Sequence, residues 1–369
     1  MVLRPGHNDL VPTRLCWPRG NPSPRTPLAD PPARWPLAAG LAAGVALDAL
    51  LGDPRRGHPV AAFGRAAAAL EARDYADSRP RGAAHAAACV LAVAAPAALL
   101  HRRTRGRPPY HAAAVALTVW AVTGARSLHR EAERIAVALA RNDLPAARRA
   151  LPSLCGRDPA GLDAAEITRA VVESVAENTC DAVVAPLLWG AAAGLPGLAA
   201  YRAINTLDAM VGYRSLRYLR FGWASARLDD AANWIPARVT AALAIACAPA
   251  AGQRKDPLPG TSAQGPPAGG ARGPGPTASA LRAVIRDGRN HPSPNAGQCE
   301  AAFAGALGVR LGGTNVYGGV AEARPELGEG RHPEPDDIRR AIRLSRAVTV
   351  AATALAVLLA VTRAGRRSR

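Results

Sequence analysis

The fold class that the sequence predicts is all-α: a polytopic helical membrane protein with amphipathic extramembrane helices. Three observations lead there. Apolar blocks of about 15 to 19 residues recur along the chain, at or just under the roughly 20 that cross a bilayer as a helix. Charged clusters such as HRRTRGR at 101–107 and RAGRRSR at the C-terminus sit between or beyond them, where interfacial anchors belong. The segments linking some blocks are amphipathic at the helical period. Because Ala is only weakly apolar and mean hydropathy is −0.01, hydropathy alone leaves a buried soluble helical bundle as the rival.

The 369 residues have ample material for a core and carry a formal charge of +18. Aromatic content is 4%, and Lys255 is the single lysine, so nearly all positive charge is arginine, read here as coding bias. Such a charge suits an anionic membrane surface or phosphorylated ligands. Nucleic acid is not expected as a partner, since no helix-turn-helix, zinc-finger or RNA-binding signature appears. Cys16, Cys89, Cys155, Cys180, Cys247 and Cys299 show no C-x-x-C spacing, which argues against a zinc site and a disulfide framework.

In chain order, residues 1–34 are rich in Pro and Arg and read as a disordered leader without the apolar core of a signal peptide. Residues 35–369 then form one helical membrane domain. Its first apolar block runs from Trp35 to Leu51, interrupted by Asp48, and ends at LLGDPRRGHP. Further blocks are Ala83 to Leu100, His111 to Ala125, Ala182 to Ala200, Trp234 to Ala251 and Ala347 to Thr362. Ser127 to Leu151 is amphipathic and broken by Pro152. Residues 252–279 are punctuated by Pro, Gly and Ser and read as a flexible loop. The basic C-terminus points to a cytoplasmic end, and the expected location is the cell membrane, crossed several times.

The stretch from Asp158 to Asp181 gathers acid on one side of a helix. At about 100° per residue, Asp163, Glu166, Glu173, Glu177 and Asp181 fall within an arc of roughly 80°, opposite Ala164, Val171, Val172 and Val175. Asp158 is the expected cap and Pro159 suits the first turn. Like charges at i and i+4 cost about 0.2 to 0.5 kcal/mol per pair unless a cation meets them. Mg²⁺, arginines or an amine substrate are the open choices, beside a plain solvated face. Asp163 and Glu166 read as the solvated beginning of the helix.

Three polar segments accompany that helix. The run from Tyr201 to Arg238 places Arg202, Arg214, Arg217, Arg220, Arg227 and Arg238 among Tyr213, Tyr218, Phe221, Trp223 and Trp234. Guanidinium forks bind phosphate and aromatic faces stack flat ligands; a membrane-edge belt is the plainer reading. Asn205, Asp208, Asp229 and Asp230 exceed what such a belt needs. In RDGRNHPSPNAGQ at 286–298, prolines pre-shape a polar loop carrying Arg289, Asn290, His291, Ser293 and Asn295. GDPRRGHP at 52–59 contributes His58, and LGGTNVYGG at 311–319 offers backbone amides to a phosphate, although glycines also serve any turn. No P-loop, dinucleotide fingerprint, nucleophile elbow or H-E-x-x-H is present.

Four motifs, in order, resemble the CobD/CbiB family of adenosylcobinamide-phosphate synthases: LDALLGDPRRGHPVAAFGR, VVESVAENTCDAVVAPLLWG, AYRAINTLDAMVGYRSLRYLRFGWASARLDDAANWIPAR and DGRNHPSPNAGQCEAAFAGALGVRLGGTNVYGG. The likeness spans about residues 37–362, with the leader, the 252–279 loop and Cys180 as departures. It implies an integral membrane enzyme of cobalamin biosynthesis. The implied reaction is ATP-dependent amide formation between adenosylcobyric acid and 1-amino-2-propanol phosphate, or its unphosphorylated or ethanolamine counterpart. ATP and Mg²⁺ are the implied cofactors. The corrinoid, the amino-alcohol phosphate, membrane lipid and other late cobalamin-pathway membrane enzymes are the implied partners.

Under that resemblance Glu173, Glu177 and Asp181 take the catalytic place, holding Mg²⁺ or receiving the ammonium proton. Arg202, Arg214, Arg220 and Arg227 take the phosphates. Asn205, Asp208, Asp229, Asp230, His58, Asn290, His291 and Asn295 complete the substrate site. A small-solute transporter and a scaffold for corrinoid enzymes are the competing classes; the first would place ionisable residues within the spans and show a repeat.

Overall fold

In the computed structural model, which describes residues 35–53, 57–213, 215–252, 275–317 and 320–366, the apolar blocks become helices. The leader at 1–34, most of the 252–279 loop and Arg214 lie outside the described residues. The elements run α1 Trp35–Leu51, α2 Pro59–Asp74, α3 Arg79–Thr104, α4 Pro108–Val122, α5 Ala125–Ala140, α6 Leu144–Ala150 and α7 Ala164–Thr179. A π-helical turn, Cys180–Val184, joins α7 to α8 Ala185–Ala193. After it come α9 Leu195–Val211, α10 Tyr218–Phe221, α11 Trp223–Cys247, α12 Pro276–Asp287 and α13 Ala296–Leu307. The antiparallel hairpin β1 Leu311–Tyr317 and β2 Val320–Leu327 precedes the last helix, α14 Pro335–Arg366.

Local chemistry explains the boundaries and corrects several expected ones. The acidic helix does not begin at Asp158, whose Oδ1 accepts from Ala160 N at 3.0 Å in a turn. It begins at Ala164, capped by Asp163: Glu166 N donates to Asp163 Oδ1 and Asp163 N to Glu166 Oε2, both at 2.8 Å. Asp163 and Glu166 therefore form a capping box, which satisfies two otherwise orphan amides. The expected block Ala182 to Ala200 is two helices, parted at Gly194, whose φ of 68° is left-handed and open to glycine without strain. The 252–279 loop ends early, because Pro276 already stands in the first turn of α12. The hairpin over 311–327 was not anticipated from a pattern dominated by glycine.

Around α7 the core is dense. Ile135 of α5, Ile167, Val171 and Val175 of α7, Phe303 of α13 and Leu344 of α14 have no exposed surface. Each is worth about 1.5 to 3 kcal/mol as transferred area. A polar relay crosses this core: His129 Nε2 and Ser345 Oγ are 2.9 Å apart, and Ser345 Oγ and Thr179 Oγ1 2.7 Å, tying α5, α14 and α7. At the start of α14 the fully buried Asp337 accepts from Arg331 and Arg340, both at 2.7 Å.

Small residues let helices approach. A methyl group at Gly40 would come within 2.6 Å of Val115 Cβ, so α1 meets α4 backbone to backbone through Gly40 and Gly44. That is the small-xxx-small spacing favoured between helices in lipid. Three helices among the described residues are long and apolar enough to cross a membrane: Arg79–Thr104, Trp223–Ala251 and Pro335–Thr362, with Trp35–Leu51 as a shorter apolar helix. Leu91, Leu99, Val350 and Leu358 on α3 and α14 are exposed, which suits a hydrocarbon surround.

Candidate active site

The carboxylates of α7 do not converge as one set. Glu173 is 4% exposed and fully engaged: Oε2 accepts from the buried Arg157, and Oε1 accepts from Gly312 N at 2.7 Å. It anchors the hairpin and the segment before α7 to the helix. Arg169 secures the same hairpin through the carbonyls of Gly312 and Thr314. One turn on, Glu177 keeps exposed surface while protein groups crowd around its carboxyl. Burial raises its carboxyl above the usual range, Arg324 opposes that, and Asp229 and Glu173 add to it.

Asp181 sits in the π-helical turn, where one extra residue per turn swings it toward α9 and α11. There Asn205 Nδ2 donates to Asp181 Oδ2 at 3.2 Å and to Asp229 Oδ1 at 3.4 Å, so one amide bridges two carboxylates. Behind them Asn233 Nδ2 donates to Asp229 Oδ2 at 3.0 Å, and Tyr201 OH donates to Asn233 Oδ1 at 2.9 Å. Asp208, a turn below Asn205, is pushed up to about 7, first by burial and then by Asp229, Asp230 and Glu177.

The facing wall comes from the polar loop and the elements after it. Glu300, 3% exposed, is raised well above its usual value by burial and by Glu173 and Glu177, against Arg324 and Arg157. His291 Nε2 lies 4.0 Å from Glu300 and 3.2 Å from Arg324 Nη1. Asn295 Nδ2 donates to Asp230 O at 2.8 Å, and its Oδ1 accepts from Arg238 at 3.4 Å. The result is a cluster with acid on α7, the π turn, α9, α11 and α13, and with Arg157 and Arg324 acting on it from the segment before α7 and the hairpin.

Of the residues expected from sequence, the fold brings together Glu173, Glu177, Asp181, Asn205, Asp208, Asp229, Asp230, His291 and Asn295, with Arg202 joined through Asn205 at 3.4 Å. Arg227 stands at the rim, exposed, 3.4 Å from Asp230. Others lie apart. His58 caps α2, its Nδ1 accepting from Val60 N at 3.2 Å. Arg220 is exposed and pairs with Asp77 at 3.8 Å, and Asn290 is exposed on its turn. Sequence reasoning missed Arg157, Glu300, Arg324, Tyr201 and Asn233. Glu300 carried a signal, being the one charge in the otherwise uncharged α13.

The expected Mg²⁺ set also needs correcting. Among the described residues no group of three or more His, Cys, Asp or Glu side chains is placed to hold a metal ion. With Glu173 taken by Arg157 and Gly312, an all-protein cage over Glu173, Glu177 and Asp181 is not built. The donors fit the other mode of Mg²⁺, which uses one or two carboxylates together with phosphates and water. Asp181 and Asp229, steadied side by side by Asn205, are the carboxylates that would serve if Mg²⁺ came with a phosphate.

A family model described as CobD/Cbib protein matches residues 41–345 of this chain. Cobalamin biosynthesis protein CobD of Mycobacterium tuberculosis (strain ATCC 25618 / H37Rv) is 52% identical over 322 residues, covering 87% of this chain and 95% of that protein. The protein of the same name from Geobacter metallireducens is 46% identical over 297 residues, 78% of this chain and 86% of its own length. That from Pelobacter propionicus is 40% identical over 326 residues, 87% and 94% respectively. No solved structure matches.

Proposed function

The chain belongs to the CobD/CbiB family of cobalamin-biosynthesis proteins, and from that premise we propose that it is a multi-pass cell-membrane ligase. Its reaction would join adenosylcobyric acid to 1-amino-2-propanol or its O-phosphate through an amide bond, at the expense of ATP. The observation that carries this reading is the cluster of Glu177, Asp181 and Asp229 in a chain whose net charge is +18. Such a cluster favours a cation, and an amino alcohol arrives as one.

Amide formation sets two demands. The amine must lose a proton before it is nucleophilic, and the corrinoid carboxylate must become an acyl donor. For the first, Glu177 is the proton acceptor: a carboxyl raised by burial is better matched to an ammonium than an ordinary one. Asp181 and Asp229 hold the ammonium or share Mg²⁺, kept in place by Asn205 and Asn233. For the second, ATP supplies the phosphoryl group and Mg²⁺ screens its charge. Arg324, with His291 beside it, and Arg227 at the rim face the anionic ends of the substrates. Glu173 and Arg157 hold the wall rather than react.

Incubating purified protein with adenosylcobyric acid, aminopropanol phosphate and Mg·ATP, and following the product by mass, tests the reading. An amide product that requires all three supports it. Solute flux without product would mark a transporter, and neither activity a scaffold.

A further inference from the structure

A cavity of about 320 Å³ lies between α2, α3, α4 and α9 and touches the acid cluster through Arg202. Phe63, Val93, Leu117, Ala121, Val122 and Ala199 make most of its wall. Two polar side chains line it, Thr118 and Arg202. Thr118 is satisfied by the Ala114 carbonyl at 2.8 Å. Arg202 is not: its Nε is buried without a hydrogen-bond partner, and its Nη1 reaches Asn205 Oδ1 at 3.4 Å. Asp181 and Asp53 act on this guanidinium through space, yet its buried Nε donor stays unpaired and asks for a ligand.

The surroundings of the cavity point to the kind of ligand. Leu117, on its wall, is 56% exposed, and Leu91 on the neighbouring α3 is 62% exposed. α3 is one of the helices long and apolar enough to cross a membrane. The cavity thus adjoins a helix suited to hydrocarbon and carries one guanidinium on its wall. A free phosphate ion would shed its water there for a single guanidinium. An amphiphile sheds water from its phosphate too, but burial of its chain along the apolar wall offsets that cost.

We propose that this cavity binds one anionic phospholipid, with its phosphate on Arg202 and an acyl chain along Phe63, Val93 and Leu117. The bound headgroup would also draw on Arg202, whose partner Asn205 holds Asp181 and Asp229, so lipid and catalytic cluster share one residue chain.

The test uses the full-length protein in mild detergent, offered equal phosphatidylglycerol and phosphatidylcholine of the same acyl chains, with retained lipid counted by native mass spectrometry. The wild type should keep one phosphatidylglycerol with about a fivefold preference, one charge's worth of attraction. Arg202→Gln should bring the two lipids to parity, and Ala121→Phe, which fills the wall, should lose both. Inorganic phosphate should not displace the lipid. Equal retention by wild type and both variants, or displacement by inorganic phosphate, overturns the proposal. If either variant fails to fold, a phosphatidylglycerol with a diazirine in its acyl chain decides on the wild type alone. Labelling at Phe63, Val93 or Leu117 supports the site, and labelling only elsewhere refutes it.

Discussion

Replacing Arg157 with Met tests the buried ion pair that supports the acid cluster. Arg157 is 7% exposed and Glu173 4%, so neither charge is relieved by water. The Glu173 carboxylate is shared between Arg157 and the Gly312 amide, and without Arg157 it keeps the amide alone at 2.7 Å. It would then face Glu177 and Glu300 with one screening cation fewer, since Arg157 lowers both. Breaking one side of a buried pair costs about 3 to 5 kcal/mol, whereas replacing both partners by apolar groups is often near neutral. Arg157→Met should therefore lower the melting midpoint markedly in a fixed detergent, and Arg157→Met with Glu173→Leu should recover much of the loss, less the Gly312 anchor. Differential scanning fluorimetry on wild type, both singles and the double completes the cycle. If the singles melt with the wild type, or the double melts lower than either single, the pair does not hold this wall.

Three further outcomes follow from other sites. Glu177→Gln should lower kcat about 10² to 10⁴-fold in the amide assay with little change in the KM for the amine, the pattern of a lost proton acceptor rather than a lost contact. Asp208, pushed up to about 7 from 3.8, binds more proton folded than unfolded between those values, so it makes stability fall as pH rises through that window. Asp208→Asn should accordingly raise the melting midpoint at pH 8, and the gap over wild type should close toward pH 4; a gap independent of pH contradicts the assignment. Asp163→Ala removes the capping box and should cost about 1 kcal/mol, read as a lower melting midpoint with unchanged activity.

The helices were legible because their apolar blocks are long and their edges carry Pro and charge. Trp35–Leu51 is the same in sequence and structure, while α3, α11 and α14 extend past their apolar blocks into polar turns. What period and composition did not reveal lay in single residues. Gly194 splits one apolar block by its backbone alone, and the π-helical turn at Cys180–Val184 re-aims Asp181 in a way a 100° wheel omits. The acidic face was visible, but its division was not: Glu173 serves a buried ion pair with a residue 16 positions upstream, and Gly312 lies 139 positions away. Likewise His58 looks like a ligand by type and proves to be a helix cap, because capping depends on local geometry. Glu300 and Arg324 enter the site only through the packing of α13 and the hairpin against α7.

The most direct test of the central claim follows oxygen. Adenosylcobyric acid labelled with ¹⁸O in the reacting carboxylate is given to the protein with aminopropanol phosphate and Mg·ATP. Phosphoryl activation predicts that one labelled oxygen leaves on the inorganic phosphate while the other stays in the amide. Amide product with unlabelled phosphate, or no amide product at all, would contradict the account.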